Sequence, residues 1–294
     1  MTNIDQHFEA YSAWRQGLFK AVGDFRSWLQ SQELADVQVD QRLDQVLSTL
    51  RDDKLYVAFV AEFSRGKSEL INAIFFAAFG QRVLPSSAGR TTMCPTELMY
   101  EKGSAPCIRL LPIETRASGT SVSELRGFAE EWTTIPLDIE SPDKVAHALQ
   151  HIAEIKKVTK ETAQTLGLHI AEEETQNGMH LSEDGMVEVP KWRHAIINFP
   201  HPLLDQGLVI LDTPGLNALG TEPELTLSLL PSAHAVLFIL AADTGVTKSD
   251  IQVWHDFISN PKHGANKGRI AVLNKIDGLW DELKSEDAVK AEID

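Results

Sequence analysis

The chain has 294 residues and 43% of them are hydrophobic, which is enough for one large domain with helical additions or for two modest domains. Its formal net charge of −15 argues against a long nucleic-acid groove, because such grooves present Lys and Arg to the phosphates, and we expect no nucleic-acid partner. The two cysteines, Cys94 and Cys107, have no paired spacing for zinc or a redox dithiol, so we expect reduced thiols in a cytosolic protein, with a disulfide between them as the alternative.

Two amphipathic helices are predicted in residues 1–50, ahead of the first strand. Charged residues interrupt this stretch, so we expect no signal peptide, and no run in the chain reaches the roughly 18 apolar residues of a membrane span. Apolar residues recur at intervals of three and four, which places them on one face of each helix and leaves that face in need of a partner surface. The two stripes are Phe8, Tyr11, Trp14, Leu18, Val22, Phe25 and Leu29, then Leu43, Val46, Leu47 and Leu50.

Four short apolar runs, each followed by a polar or glycine-containing loop, predict strands that are buried on both faces of a parallel sheet. Helical patterns at residues 70–79 and 251–258 alternate with these strands, as in a doubly wound α/β domain. Ligands of such sheets bind at the carboxyl ends of the strands, so we expect the functional motifs there. The four runs are residues 55–60, 208–211, 235–240 and 270–273.

The order of elements is less regular between residues 100 and 193. Ser141 followed by Pro142 predicts a helix start, and a helical stripe of Val145, Leu149, Ile152 and Ile155 follows it. Residues 172–189 are acidic and poor in apolar side chains, which predicts an exposed loop or flexible insertion.

The first chemical motif follows the strand at residues 55–60 and opens a helix, which is the context of a phosphate-binding loop. Backbone N–H groups would surround the β-phosphate, Lys67 would contact β- and γ-phosphate oxygens, and Ser68 would ligate Mg²⁺. Arg65 has two interpretations, an arginine finger in cis or a surface arginine beside the loop. The motif reads Ala61-Glu62-Phe63-Ser64-Arg65-Gly66-Lys67-Ser68, and we predict that Glu62, Phe63, Ser64, Arg65, Gly66, Lys67 and Ser68 contact the nucleotide.

The second motif is Asp212-Thr213-Pro214-Gly215, directly after the strand at residues 208–211. The Asp212 carboxylate would hold Mg²⁺ through a water, and the Gly215 N–H would meet the γ-phosphate without obstruction by a side chain. Four such residues also make a good turn. Their position after a strand and downstream of a phosphate loop favours the nucleotide site.

The third motif is Asn274-Lys275-Ile276-Asp277, at the end of the strand at residues 270–273. The Asp277 carboxylate suits the N1–H and amino donors of guanine, and adenine offers no such pair of donors. A site built around these hydrogen bonds rejects a base that cannot complete them. We therefore predict that Asn274, Lys275 and Asp277 bind the base and that the nucleotide is GTP or GDP.

These motifs, with the stretch from Leu84-Pro85 to Pro95-Thr96, together resemble the dynamin superfamily, particularly its bacterial members. The resemblance covers about residues 55–280, less an insertion around residues 112–192. It implies an α/β P-loop GTPase domain with a mostly parallel sheet over residues 51–294. It also implies Mg²⁺-dependent hydrolysis of GTP and a helical bundle that the amino-terminal helices would join.

The same resemblance assigns further roles to residues of this chain. Thr92 matches the mobile switch threonine that completes the Mg²⁺ coordination, with Thr91 as the competing candidate. Residues 242–247 resemble the loop that reaches across a head-to-head dimer, which implies a homodimer across the nucleotide face. Membrane lipid would be contacted through regions absent from this chain, and the protein would be cytoplasmic or peripheral at the inner face of the membrane.

The sequence departs from the family pattern in ways that affect the expected chemistry. Ala61 stands where the phosphate-loop pattern has glycine, and Phe63 stands where eukaryotic members carry the glutamine that orients the attacking water. Catalysis would then use backbone groups or Ser64, alongside Lys67, and the rival hypothesis is a nucleotide-gated binding module with negligible hydrolysis. A translation-associated GTPase is disfavoured by the acidic balance. Only 17 residues follow Asp277, so we expect truncation after the guanine-binding motif.

Overall fold

The structure is a computed structural model that describes residues 3–32, 34, 36–51, 54–62, 64–85, 94–168, 186–213, 230, 233–259 and 268–279. The chain divides into two compact units, Met1–Leu55 and Tyr56–Asp294. Among the described residues, no helix combines the length and the apolarity that a membrane crossing requires.

The amino-terminal unit consists of two helices, α1 (Asn3–Ser31) and α2 (Val37–Arg51), which confirms both predicted helices. The guanidinium of Arg26 on α1 joins them, because it contacts a carboxylate oxygen of Asp40 and one of Asp44 on α2, each at 2.7 Å. Several side chains of the predicted apolar stripe are exposed: Tyr11, Trp14, Leu18, Phe25 and Val46.

The second unit is built on an eight-stranded sheet, with two further strands paired separately in the described part of the chain. In chain order the strands are β1 (Leu55–Ala61), β2 (Thr96–Met99), β3 (Cys107–Pro112), β4 (Thr133–Pro136), β5 (Ile155–Val158), β6 (Val187–Pro190), β7 (Trp192–Asn198), β8 (Leu208–Asp212), β9 (Ala235–Ala241) and β10 (Gly268–Asn274). The helices are α3 (Lys67–Phe75), α4 (Val122–Leu125), α5 (Pro142–Gln150), α6 (Lys160–Thr165), α7 (Pro202–Asp205) and α8 (Lys248–Val253), the last followed by a π-helical turn, Trp254–Ile258.

The order of strands across the large sheet is β10-β9-β1-β8-β2-β7-β3-β4, and β5 pairs with β6. Strands β10, β9 and β1 run parallel, as do β2 and β7. Strand β2 pairs antiparallel with β8. At the other end of the strand order, β3 pairs antiparallel with both β7 and β4. The predicted α/β class is confirmed, and the parallel pairing brings the ends of β1, β9 and β10 to one edge of the sheet.

Strand β10 was expected to be buried on both faces, and that expectation is wrong. It lies at the end of the strand order, and its Ile270 is 54% and its Leu273 37% exposed. Side chains of a strand point to the two faces of the sheet, so these faces are only partly covered at β10. The first core helix also ends earlier than predicted, at Phe75, and a short 3₁₀ turn, Ala77–Phe79, follows it.

Two expectations for the central segment are corrected by the small sheet. Ile155 does not continue the helical stripe, because it begins strand β5 and is 40% exposed. The predicted loop at residues 172–189 ends in strand β6 instead, and Val187 and Val189 on this strand are buried against Ile113 and Ala163. Residues 172–185 of that predicted loop lie outside the described residues.

A buried polar cluster joins the end of α4 to the central strands. Glu97 on β2 accepts a hydrogen bond from Arg126, which follows α4, and His194 Nε2 on β7 lies 2.9 Å from Glu97 Oε1. Burial alone would raise the pKa of Glu97, but the hydrogen bond with His194 and the charge of Arg126 bring it down to about 2. The carboxylate therefore stays ionised inside the sheet because it is paired.

Candidate functional site

The predicted phosphate loop connects the carboxyl end of β1 to the start of α3. Ala61 is the last residue of β1 and is fully buried beside Ile239 of β9, so its methyl group lies within the sheet and not in the loop. Gly66 adopts φ +85°, and a Cβ at this position would overlap the side-chain amide of Asn274. Glycine is therefore required at residue 66 by its backbone conformation and by close approach of a neighbour.

Lys67 and Asp212, predicted from separate motifs, form an ion pair. Lys67 Nζ donates to Asp212 Oδ1, and the two residues are only 8% and 5% exposed. Lysine is seldom buried without a partner, and here the carboxylate at the end of β8 provides one. The next residue, Thr213, is fixed by a 2.8 Å hydrogen bond from its hydroxyl to the Phe59 carbonyl of β1. The second motif therefore lies directly against the phosphate loop.

Asn274, from the third motif, contacts the same loop. Its side-chain Nδ2 donates to the Arg65 carbonyl at 2.9 Å, while its backbone carbonyl accepts from the Ala242 N–H at 2.9 Å. Asn274 is the last residue of β10, and β9, which ends at Ala241, is the parallel neighbour of that strand. One amide side chain thus connects the predicted base-binding loop with the phosphate loop.

Residues 242–247 pack beside the third motif. Lys275 adopts a left-handed backbone with φ +58°, and its Nζ donates to Asp243 Oδ2 at 2.9 Å. The hydrogen bond from Lys275, helped by one from the Thr244 hydroxyl, holds the pKa of Asp243 below its usual range. Asp277 lies in the exposed 3₁₀ turn that follows, Ile276–Leu279. The predicted base-reading carboxylate is therefore accessible from solvent.

Arg65 is buried, so of its two interpretations the surface arginine is wrong. Its Nη2 lies 2.9 Å from Glu62 Oε2 and 2.9 Å from Asp250 Oδ2. Asp250 on α8, which sequence reasoning missed, is fully buried. The capping box that it forms with Thr247 could have predicted a helix start, but no local pattern could pair it with an arginine 185 residues away.

Several predicted site residues lie outside the described part of the chain: Phe63, Thr91, Thr92 and Gly215. Of the two described residues assigned to Mg²⁺, Ser68 on α3 is 8% exposed and Asp212 is 5% exposed. Ser64 is exposed and adopts φ +65°. A hydroxyl and a carboxylate are oxygen donors of the type that Mg²⁺ prefers, so the described residues fit this ion.

Several known proteins resemble this chain. A bacterial dynamin-like protein of Nostoc punctiforme (strain ATCC 29133 / PCC 73102) is 24% identical over 227 residues, which are 76% of this chain and 24% of that protein. This chain therefore spans about a quarter of the length of that relative.

Two solved structures show lower identity. One is described as an oligomerised bacterial dynamin pair that provides a mechanism for the long-range sensing and tethering of membranes; it is 17% identical, with a TM-score of 0.46 over 96% of this chain and 41% of that one. The other is an Era variant of Aquifex aeolicus bound to GDP and AlF4−, which is 16% identical, with a TM-score of 0.32 over 81% of this chain and 44% of that one.

The family model decides the assignment. The Dynamin family model matches residues 57–276, which include most of β1, the phosphate loop, the ion pair at Asp212 and Asn274 at the end of β10. These are the parts of the chain that converge at the edge of the sheet. The chain therefore belongs to the dynamin family.

Proposed function

We propose that this chain binds GTP and, with Mg²⁺, hydrolyses it to GDP and phosphate. The observation that carries the proposal is the convergence of three motifs at one edge of the sheet. Lys67 contacts Asp212, and Asn274 contacts the backbone of Arg65, although these four residues come from three separate parts of the sequence. A phosphate loop, a carboxylate and a base-reading loop in one place are the parts that phosphoryl transfer from a nucleotide needs.

The start of α3 supports phosphate binding. The first N–H groups of a helix have no partner within the helix and carry partial positive charge, so they attract phosphate oxygens. Lys67 and Ser68 are the first two residues of α3, and both are buried. On nucleotide binding, Lys67 would exchange part of its contact with Asp212 for β- and γ-phosphate oxygens.

Ser68, Asp212 through a water, and Thr92 would hold the metal ion. When bound, Mg²⁺ would supply positive charge that offsets the charge on the phosphate oxygens. The side chains nearest the reacting phosphate would be Lys67 and Ser64, with the Gly215 N–H facing the γ-phosphate. Preorganised donors of this kind stabilise the charge that spreads over the oxygens in the transition state.

Base recognition would fall to the third motif. Asp277 would accept hydrogen bonds from guanine, with Asn274 and Lys275 beside it. Asn274 already bonds to the phosphate loop, so a nucleotide bound there would have its base and phosphates positioned by connected loops.

We also propose that the chain dimerises across the nucleotide face and acts in the cytoplasm or at the inner face of the membrane. The family assignment supports this, as does the position of residues 242–247 beside Lys275. The similar dynamin pair is described as oligomerised and as tethering membranes.

Thr92→Ala is expected to reduce hydrolysis of GTP much more than affinity for GTP, because a switch threonine completes the metal coordination mainly in the triphosphate state. The measurement is single-turnover phosphate release beside a binding titration. Thr91→Ala is the matched control and should behave as wild type. Normal hydrolysis by Thr92→Ala together with loss in Thr91→Ala would transfer the role to Thr91.

A transition-state analogue, GDP with aluminium fluoride, is expected to convert monomer to dimer, and Asp243→Ala should weaken that conversion because it removes the partner of Lys275 and Thr244. Light scattering measures the mass directly. Asp138→Asn, which alters an exposed carboxylate paired with Lys144, is the control. A protein that stays monomeric with the analogue would remove the dimer proposal and leave the GTPase proposal standing.

A further inference from the structure

We propose that Arg65 is a positioning residue that ties the phosphate loop to the start of α8, and that nucleotide affinity depends on this tie. The inference rests on the proposed GTP-binding function. It assigns Arg65 a role through Glu62 and Asp250, and not through contact with the reacting phosphate.

The geometry places one guanidinium group between two carboxylates. Arg65 Nη2 is 2.9 Å from Glu62 Oε2, within its own loop, and 2.9 Å from Asp250 Oδ2, on α8. The side chains of Arg65, Glu62 and Asp250 are 4%, 15% and 0% exposed. Burial strengthens these contacts relative to a surface ion pair, so the positions of loop and helix are linked.

Hydrogen bonds at the start of α8 fix the position of the Asp250 carboxylate. Asp250 Oδ2 also accepts from the Thr247 N–H at 2.9 Å and from the Thr247 hydroxyl at 2.8 Å, and the Asp250 N–H donates back to that hydroxyl at 3.2 Å. This capping box fixes the carboxylate that Arg65 contacts. The capping box therefore orients Asp250 independently of its contact with Arg65.

Glu62 makes a second connection between the same two segments. Its carboxylate accepts from the Ser249 hydroxyl, and its Oε2 lies 3.3 Å from the Thr247 hydroxyl oxygen, whose proton goes to Asp250. The phosphate loop is thus attached to the start of α8 through Glu62 as well as Arg65. Residues 242–247 lead directly into that helix start, so the link joins the phosphate loop to the segment that also contacts Lys275.

The charges explain why Arg65 would not leave this position to act as an arginine finger. Arg65 and Asp250 are buried and Glu62 is half-buried, and breaking a buried pair leaves an uncompensated charge, which is strongly unfavourable. Moving the guanidinium to the γ-phosphate would leave Glu62 and Asp250 facing each other. Arg65 therefore acts on the loop that holds the β-phosphate, a group that GDP and GTP share.

The test compares Arg65→Lys and Asp250→Asn with wild type. Lysine keeps the charge but lacks the guanidinium Nη2, the one atom that contacts both carboxylates, and asparagine keeps an oxygen that accepts from Thr247 but loses the charge. Titrations with fluorescent GDP and a non-hydrolysable GTP analogue should show both nucleotides weakened by similar factors, roughly tenfold or more. At saturating GTP, kcat should change much less than KM.

A matched control is Arg82→Lys, because Arg82 forms an exposed ion pair with Glu69 and should show wild-type affinity. The double variant Arg65→Lys with Asp250→Asn should lose little more than the weaker-binding single variant, since both changes break one link. Thermal unfolding of each variant shows whether it is folded. If Arg65→Lys does not fold, the nucleotide affinity of Asp250→Asn is compared with that of wild type.

Wild-type affinity for both nucleotides in folded Arg65→Lys and Asp250→Asn would overturn the positioning role. A fall in kcat at unchanged affinity in Arg65→Lys, with Asp250→Asn normal, would also overturn it and indicate direct contact with the phosphate. If wild type itself binds no guanine nucleotide, the proposed function fails first, and the two failures are thereby distinguished.

Discussion

Lys67→Ala will lower kcat/KM for GTP by at least about a hundredfold, because the lysine would contact oxygens of two phosphates and hydrogen bonds to charged groups are worth roughly 1.5 to 3 kcal/mol each. Lys67 is the buried cation at the start of α3, where the helix N–H groups also converge. The measurement is phosphate release together with nucleotide titration.

The same substitution will also affect stability. Lys67 and Asp212 are an ion pair with side chains only 8% and 6% exposed, and removing one partner of a buried pair costs about 3 kcal/mol. Urea unfolding must therefore show that the variant is folded under assay conditions. Lys102→Ala is the matched control, because Lys102 is 82% exposed in a surface pair with Asp205. Near-wild-type hydrolysis in Lys67→Ala would refute the phosphate-loop assignment.

Asp277→Asn will weaken GTP binding and improve the relative binding of xanthosine triphosphate. Xanthine carries a carbonyl where guanine carries its exocyclic amino group, and a carboxylate repels that carbonyl while an asparagine amide donates to it. Because hydrogen bonds to a charged partner are worth roughly 1.5 to 3 kcal/mol, the preference should change at least about tenfold. Competition between the two nucleotides measures the change.

Asp277 is exposed in the turn after β10, so its substitution should leave the fold intact. Asp138→Asn, at another exposed carboxylate, should leave the nucleotide preference unchanged. If folded Asp277→Asn binds nucleotide with the wild-type preference, Asp277 does not read the base. Guanine specificity would then lose its main support.

The parts of the site that could be predicted from sequence are those encoded locally. Near-continuous apolar runs predict β1, β8 and β9, and each predicted motif begins at the last residue of its strand. Parallel pairing at β1, β9 and β10 then brings distant motifs together, as the contact of Asn274 with the phosphate loop shows. Such convergence follows from the general rule for α/β sheets.

The parts that could not be predicted depend on contacts distant in sequence. Arg65 contacts Asp250, which is 185 residues away in the sequence, and no local sequence pattern around either residue indicates that they pair. Strand β6 is only four residues long and follows an acidic stretch, so its two alternating valines form too short a pattern to predict a strand. The exposure of β10 depends on what packs over its two faces, and an apolar run reveals neither that nor the position of a strand in the sheet.

Single-turnover release of phosphate from GTP, with Mg²⁺ present, tests the central proposal most directly. Wild-type chain in excess over GTP should release phosphate at a rate well above that of Lys67→Ala, and omission of Mg²⁺ should suppress the release. If GTP bound to the wild-type protein stays intact, so that phosphate release is no faster than in Lys67→Ala, the proposal that the chain is a GTPase is contradicted.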